Sequence, residues 1–280
     1  MSARTRFAPS PTGRLHPGHA FSALVAAGRA GPGGFLLRIE DIDHTRCRPG
    51  FERAILEDLG WLGLSWPEPV LRQSARRAAY RAALARLAAA GLVYPCRCSR
   101  RDIAAALSAR QEGAAHTVYP GTCRGRSMAE AGPEDALRLD LRKALAALAG
   151  RPLGFHETGP EAPGWHALDA AGLLAGTGDI VLARRDIATS YTMAVVVDDA
   201  HQAITEVVRG ADLLAETPVQ VLLQALLDLP TPAYHHHRLI RDAHGRRLAK
   251  RAGDGSLATL RAAGVTPAGI RRRLGLPPVP

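Results

Sequence analysis

Two histidines three residues apart, His16 and His19, lie in the stretch RTRFAPSPTGRLHPGH, residues 4 to 19, just where the first candidate helix begins. Pro9, Pro11 and Pro17 fix φ and stiffen the stretch, while Gly13 and Gly18 let backbone approach a ligand. A helix N-terminus favours anions through its free N–H groups and its dipole. Imidazole donors added there suit a nucleotide whose α-phosphate gains charge during displacement. The stretch matches neither G-x-x-x-x-G-K-[ST] nor G-x-G-x-x-G, so another way of holding phosphate is required. The competing reading is a rigid turn carrying two surface histidines.

Two further clusters could do chemistry. Cys96, Cys98 and Cys123 lie close in sequence, the first two as C-x-C. In a reducing compartment that suggests metal before disulfide, against the alternative of three unrelated thiols in a loop. Cys47 is read as inert. The carboxylates Glu40, Asp41 and Asp43 end an apolar run, and the carboxyl ends of strands are where α/β sheets keep their ligands. The run His235, His236, His237 cannot converge on one metal from an extended strand, and is read as loop near the nucleotide or solvated surface.

The elements that would position these groups follow from pattern. Thr5 to Ala8 reads as a short strand, Gly18 to Ala30 as a helix and Phe35 to Ile39 as a second strand, the opening of a nucleotide-binding α/β unit. Pro49 to Leu59 and Ser74 to Ala90 carry apolar residues at helical spacing. Tyr94 to Arg126 breaks into Cys, Pro, Gly and Arg, as a small inserted module would. Residues 133 to 178 are poorly periodic and yield no placed elements. GDIVLARRD, YTMAVVVDDA and AITEVVRGADLL bring back strand signals, with a helix after Ala211, and a basic loop and short helical tail close the chain.

Composition bounds the function. The 280 residues, 46% hydrophobic and 22% charged, exclude a disordered chain. A net charge of +10 makes nucleic acid or nucleotide the natural partner. Only Lys143 and Lys250 are lysine among 36 basic residues, so a lysine is more informative here than an arginine. No apolar run approaches the roughly 20 residues needed to span a bilayer, and the N-terminus lacks a secretory pattern, so the expected location is cytoplasmic.

At these residues the chain resembles the class I aminoacyl-tRNA synthetases, in their glutamate-type branch. RFAPSPTGRLHPGH is similar to that branch's first signature, R-F-A-P-S-P-T-G running into an H-x-G-H-like tetrad. LLRIEDIDHTR resembles its R-I-E-D-T/I-D segment, and VVVDDAHQAITEVVRGADLL its V-V-D-D-x-x-x-x-I-T-x-V-x-R-G-x-D. RRLAKR stands where the second signature, K-M-S-K-S, belongs. The short stretch after it lacks the large anticodon-binding region of glutamyl-tRNA synthetases. The resemblance therefore narrows to a truncated branch that activates glutamate without tRNA and attaches it to the queuosine base in the anticodon of tRNA(Asp).

The resemblance implies an α/β, Rossmann-like class I catalytic domain with an inserted zinc-containing module and a short helical C-terminal part. Its expected divisions are 1–93 and 179–234 for the catalytic domain, 94–178 for the insert with zinc site at 94–126, and 235–280 for the second-signature loop and tail. Arg6, Ala8, Ser10, Glu40, Tyr191 and Arg209 are implied to bind glutamate. Glu40 would face the ammonium group, Arg6 and Arg209 would supply positive charge, and Tyr191 would form a wall and donate a hydrogen bond. An acid for the ammonium and guanidinium forks for a carboxylate are what that substrate demands. His16, Gly18, His19 and Lys250 are implied to bind ATP, with His16, His19 and Lys250 catalytic.

Zinc is implied on Cys96, Cys98, Tyr119 and Cys123, with His116 competing for the fourth place, and magnesium accompanies the ATP. The partners the resemblance implies are ATP, L-glutamate and queuosine-containing tRNA(Asp), with no membrane or obligate protein partner expected. Two departures stand out: proline inside HPGH, and Arg247, Ala249 and Arg251 in the second signature. The rival readings are a glutamyl-tRNA synthetase core charging a tRNA 3′ end and a non-catalytic tRNA-binding relative.

Overall fold

The structure is a computed structural model describing residues 2–108, 118–241 and 255–278. The chain opens with β1 (Thr5–Phe7), α1 (Pro17–Arg29) and β2 (Phe35–Ile39). β1 and β2 pair in parallel with Thr5 opposite Phe35, and every residue of both is buried. Parallel strands covered on both faces favour apolar runs; β2 is apolar apart from Arg38, and the buried Arg6 and Arg38 are held by carboxylates, Arg6 by Asp199 and Arg38 by Asp199 and Glu40. Pro17 presets φ for the first turn of α1, whose buried Phe21 and Leu24 meet Ile55 and Leu59 of α2 (Pro49–Trp61) in one core. β3 (Leu71–Arg72) extends the sheet beside β2. After a short 3₁₀ turn at Gln73–Arg76, α3 (Arg77–Ala89) begins three residues later than its apolar spacing suggests.

The middle of the chain builds a second layer. β4 (Val93–Cys96) leads to α4 (Arg100–Ser108), and then β5 (Ala136–Leu139) pairs antiparallel with β4. The unplaced residues 133 to 178 hold β5, α5 (Leu141–Ala147), the hairpin of β6 (Gly154–Glu157) and β7 (Gly164–Ala167), and α6 (Ala170–Gly176). No element there exceeds seven residues, which is too short for a hydrophobic period to show. β8 (Val181–Ala183) completes the antiparallel sheet β4-β5-β8.

YTMAVVVDDA is not a strand but α7 (Tyr191–His201), started by Ser190, whose side chain accepts the Met193 N–H at 3.2 Å. Met193, Ala194, Val195 and Val196 are all buried, so successive residues face protein and the apolar run carries no helical period. After β9 (Glu206–Gly210), a 3₁₀ turn at Ala211–Glu216 and α8 (Thr217–Leu226), the three histidines lie inside β10 (Ala233–His237), not in a loop. His236 and His237 are buried there. β10 runs parallel to β9 with His236 opposite Arg209, and the sheet order is β7-β6-β10-β9.

The Thr205 and Glu206 N–H groups donate to the Arg4 carbonyl at 2.9 and 3.2 Å, so β9 lies beside β1. The tail forms α9 (Leu257–Ala262) and α10 (Pro267–Arg273), which bury Leu257 and Ile270 in the first core. The Leu257 N–H donates to the Leu15 carbonyl at 2.8 Å, tying the tail to the loop before α1. Among the described residues no helix is long and apolar enough to cross a membrane.

Candidate active site

A cavity of about 220 Å³ opens where the ends of β1 and β9 meet the N-termini of α1 and α7. Arg6, Ala8, His16, Gly18, His19, Glu40, Tyr191 and Arg209, all singled out from sequence, line it together. Ser10 is not among its lining residues; its carbonyl accepts the Thr12 N–H at 2.8 Å within the turn. Lys250, with Arg247, Ala249 and Arg251, lies outside the described residues. Of the three strand-end carboxylates only Glu40 reaches the cavity. Asp41 accepts from the backbone and hydroxyl of Ser74 at 2.8 and 2.6 Å, and Asp43 accepts from Thr45 and Arg46 at 2.6 and 2.7 Å.

Two residues that sequence reasoning did not single out support the lining. Asp199 accepts from Arg6 Nε at 2.9 Å and Arg6 Nη2 at 3.3 Å, and from Arg38 Nη1 at 2.6 Å. Arg38 Nη2 in turn donates to Glu40 Oε1 at 3.1 Å. Burial pushes the Glu40 carboxyl above its ordinary range, opposed by Arg38 and Arg6. At Asp199 burial pushes the same way, but the two guanidinium groups prevail and hold it below the ordinary range. Both residues stood in the quoted motifs, as the Arg of RIED and the second Asp of VVDD, and only their contacts give them a role.

Arg209 is buried differently. Its Nε donates to His236 Nε2 at 3.0 Å, Nη1 to Gln220 Oε1 at 2.9 Å, and Nη2 to Thr217 Oγ1 at 2.8 Å and the Leu213 carbonyl at 3.2 Å. None of these acceptors is a carboxylate. A guanidinium charge so held suits an anion arriving in the cavity. Tyr191 begins α7 at the cavity edge. Tyr191 is 36% exposed as a residue, but partial desolvation of its hydroxyl at the cavity, with Glu40 nearby, pushes it up to about 12, so it is a donor at neutral pH.

His16 is the N-cap of α1, its Nδ1 accepting the Gly18 N–H at 3.1 Å, while His19 Nδ1 accepts the His16 N–H at 3.2 Å. With both Nδ1 atoms acting as acceptors, a neutral ring at either position carries its proton on Nε2. The rings lie 3.8 Å apart. A Cβ on Gly18 would come within 2.9 Å of the His16 ring, which explains the glycine between them. The proline of HPGH takes the first helical position, where its missing N–H costs nothing.

Some distance along the chain, the Cys96, Cys98 and Cys123 Sγ atoms lie within 4.8 Å of one another. The Tyr119 hydroxyl sits among them, 3.3 Å from Cys96 Sγ and 3.5 Å from Cys98 Sγ, and accepts the Cys123 N–H at 2.9 Å. Three thiols and a phenol converging on one point fit a closed tetrahedral zinc site, in which sulfurs stand about 3.8 Å apart. His116 lies outside the described residues.

Comparison with known proteins bears on the whole chain. Residues 2–139 and 173–277 match the family model for tRNA synthetases class I (E and Q), catalytic domain. The Glutamyl-Q tRNA(Asp) synthetase of Rhodobacter capsulatus is 53% identical over 281 residues, covering 97% of this chain and 99% of the relative. That of Burkholderia mallei is 45% identical over 256 residues, covering 91% and 82%. Among solved structures, the glutamate-tRNA synthetase of Elizabethkingia anophelis superposes with TM-score 0.70 at 27% identity over 91% of this chain. The chain spans 54% of that longer protein. Full-length identity to proteins of one kind, on a shared class I catalytic fold, shows that the chain belongs to the glutamyl-Q tRNA(Asp) synthetase family, ligases of the aminoacyl-tRNA synthetase type.

Proposed function

We propose that the chain activates L-glutamate with ATP in the absence of tRNA and transfers the glutamyl group to the queuosine of the tRNA(Asp) anticodon. The observation that carries the glutamate half is a single cavity holding the buried acid Glu40 and the buried Arg209, whose direct partners are all uncharged. Glu40 would receive the substrate ammonium, and Arg6, Arg209 and Tyr191 its side-chain carboxylate, with Ala8 and Ser10 on the adjoining backbone. Glutamine would leave a buried guanidinium charge unmatched, a penalty of about 3–5 kcal/mol on general grounds. The acceptor half rests on the names of the relatives.

In the first step an α-carboxylate oxygen of glutamate attacks the α-phosphorus of ATP. An O–P bond forms and the bond to pyrophosphate breaks, with no protein nucleophile required. The protein's work is positioning and charge stabilisation. His16 and His19 would donate from Nε2 to the phosphates from one side, and Lys250 of the second signature would approach the leaving pyrophosphate, with magnesium travelling on the nucleotide. In the second step a hydroxyl of the acceptor nucleoside attacks the activated carbonyl, an ester forms and AMP leaves with the bonding pair.

Zinc on Cys96, Cys98, Tyr119 and Cys123 would cross-link the module at 94–126 and take no part in either step. Within this reading, 94–178 is the insert between the catalytic segments 1–93 and 179–234, and 235–280 carries the second signature and tail.

The test is transfer of radiolabelled glutamate, with ATP, onto tRNA pools that contain or lack queuosine. Label confined to the queuosine-containing pool supports the reading. Label independent of queuosine points to 3′-end charging, and no label with no pyrophosphate exchange points to a non-catalytic relative.

A further inference from the structure

Three neighbouring strands carry one buried chain of polar contacts. His236 on β10 is the register partner of Arg209 on β9, and β6 on the other side ends in Glu157. Glu157, His236 and Arg209 are 3%, 0% and 5% exposed. His236 Nδ1 is hydrogen-bonded to Glu157 Oε2, and His236 Nε2 accepts from Arg209 Nε at 3.0 Å. The other Glu157 oxygen accepts two backbone N–H groups, from His236 at 2.9 Å and Gly159 at 2.6 Å. A Cβ on Gly159 would lie 2.3 Å from the His236 carbonyl and 2.6 Å from Glu157 Oε1, so only glycine fits over the contact. Glu157 belongs to residues 140–172, between the two segments that match the family model.

We propose that Glu157 and His236 form a positioning relay that selects glutamate over glutamine by orienting the Arg209 guanidinium while leaving its charge uncancelled. This rests on the reading that Arg209 receives the substrate's side-chain carboxylate. A carboxylate placed directly against Arg209 would neutralise it and compete with the substrate. A neutral imidazole between the two takes only the Nε–H and fixes the plane of the guanidinium, with Gln220, Thr217 and the Leu213 carbonyl holding the other nitrogens. The arrangement demands one tautomer, protonated at Nδ1, because a proton on Nε2 would oppose the Arg209 N–H. Glu157 enforces it, having only acceptors to offer Nδ1. Burial, the largest influence, pushes the imidazole down to about 4, which keeps it neutral.

The test is Glu157→Gln, which is isosteric and can still accept both backbone N–H groups. Its amide presents N–H to Nδ1, so His236 must move its proton to Nε2 and face Arg209 donor to donor. Pyrophosphate exchange should show the KM for glutamate raised by about tenfold or more, and the preference for glutamate over glutamine narrowed, with the KM for ATP unchanged. ¹⁵N NMR of the imidazole should report Nδ1–H in the parent protein and Nε2–H in the variant. His236→Gln, whose amide oxygen can accept from Arg209, should keep more of the preference than His236→Leu.

Unchanged glutamate KM and discrimination in Glu157→Gln would overturn the relay. Should that variant fail to fold, an Nε2–H signal in the parent would overturn it equally. Arg209→Lys separates the two levels: impaired glutamate binding there with normal Glu157→Gln removes the relay alone. Normal glutamate binding in Arg209→Lys removes the site reading and the relay with it.

Discussion

Arg38 Nη1 on β2 lies 2.6 Å from Asp199 Oδ1 on α7, a contact in which both side chains are buried. The same carboxylate holds Arg6 of β1, so one acid joins two strands of the first sheet to the helix that carries Tyr191. Asp199→Ala would leave the buried Arg6 without its carboxylate and Arg38 with Glu40 alone. We expect a loss of about 3–5 kcal/mol, read as a lower denaturant midpoint, together with a raised KM for glutamate because Arg6 loses its anchor. A variant as stable as the parent would show that the pair carries no structural weight.

His16 has two separable duties, capping α1 and donating to phosphate. Asparagine is a good N-cap but lacks the imidazole reach, whereas alanine does neither. His16→Asn should therefore keep the melting temperature close to that of the parent and lose pyrophosphate exchange by about 10²-fold or more. His16→Ala should lose the same activity and about 0.5–2 kcal/mol of stability besides. Full exchange activity in His16→Asn would reduce His16 to a cap.

Metal content tests the cysteine cluster. The purified protein should hold one zinc per chain, bound by the converging Cys96, Cys98 and Cys123 thiols with Tyr119. Tyr119→Phe keeps the three thiols and should release zinc to a chelator faster than the parent, while Cys98→Ser should lose it on purification, with a lower melting temperature in both. Equal zinc release by parent and Tyr119→Phe would remove the tyrosine from the ligand set.

Stability should fall on mild acidification. Burial holds His236 at about 4 against 6.5 for the free side chain, and it lowers His235 and His237 in the same direction. Below pH 6.5 the unfolded chain takes up protons that the folded chain refuses, so stability is complete above that pH and declines toward pH 4. Glu157 extends the loss further into acid: despite its burial, bonds from His236 and Gly159 keep its carboxyl below the ordinary range. Urea midpoints measured from pH 7 to pH 4 should fall, and His236→Gln should flatten the slope. A slope unchanged in that variant would assign the acid sensitivity elsewhere.

Legibility followed how local each determinant was. β1, α1 and β2 are legible because the largely apolar run of β2, the proline at the start of α1 and the glycine turn between them all lie within a few residues. α7 reads as a strand in sequence because its buried surface extends around the helix, which erases the period that separates helix from strand. His235 to His237 read as solvated since histidine is polar, and nothing nearby in sequence reveals a Glu157 almost eighty residues earlier that pairs with His236.

The sequence by itself determined the family resemblance, the α/β class and the residue types that meet in the cavity, because ordered motifs with fixed spacing survive in linear form. Tertiary structure alone decided how those residues are held. Arg6 and Arg38 share Asp199, Arg209 leans on a neutral histidine, and the histidines of the first signature cap a helix with their Nδ1 atoms. The physical reason is that a buried charge is defined by its partners, and most of these partners lie on strands and helices that only the folded sheet brings together.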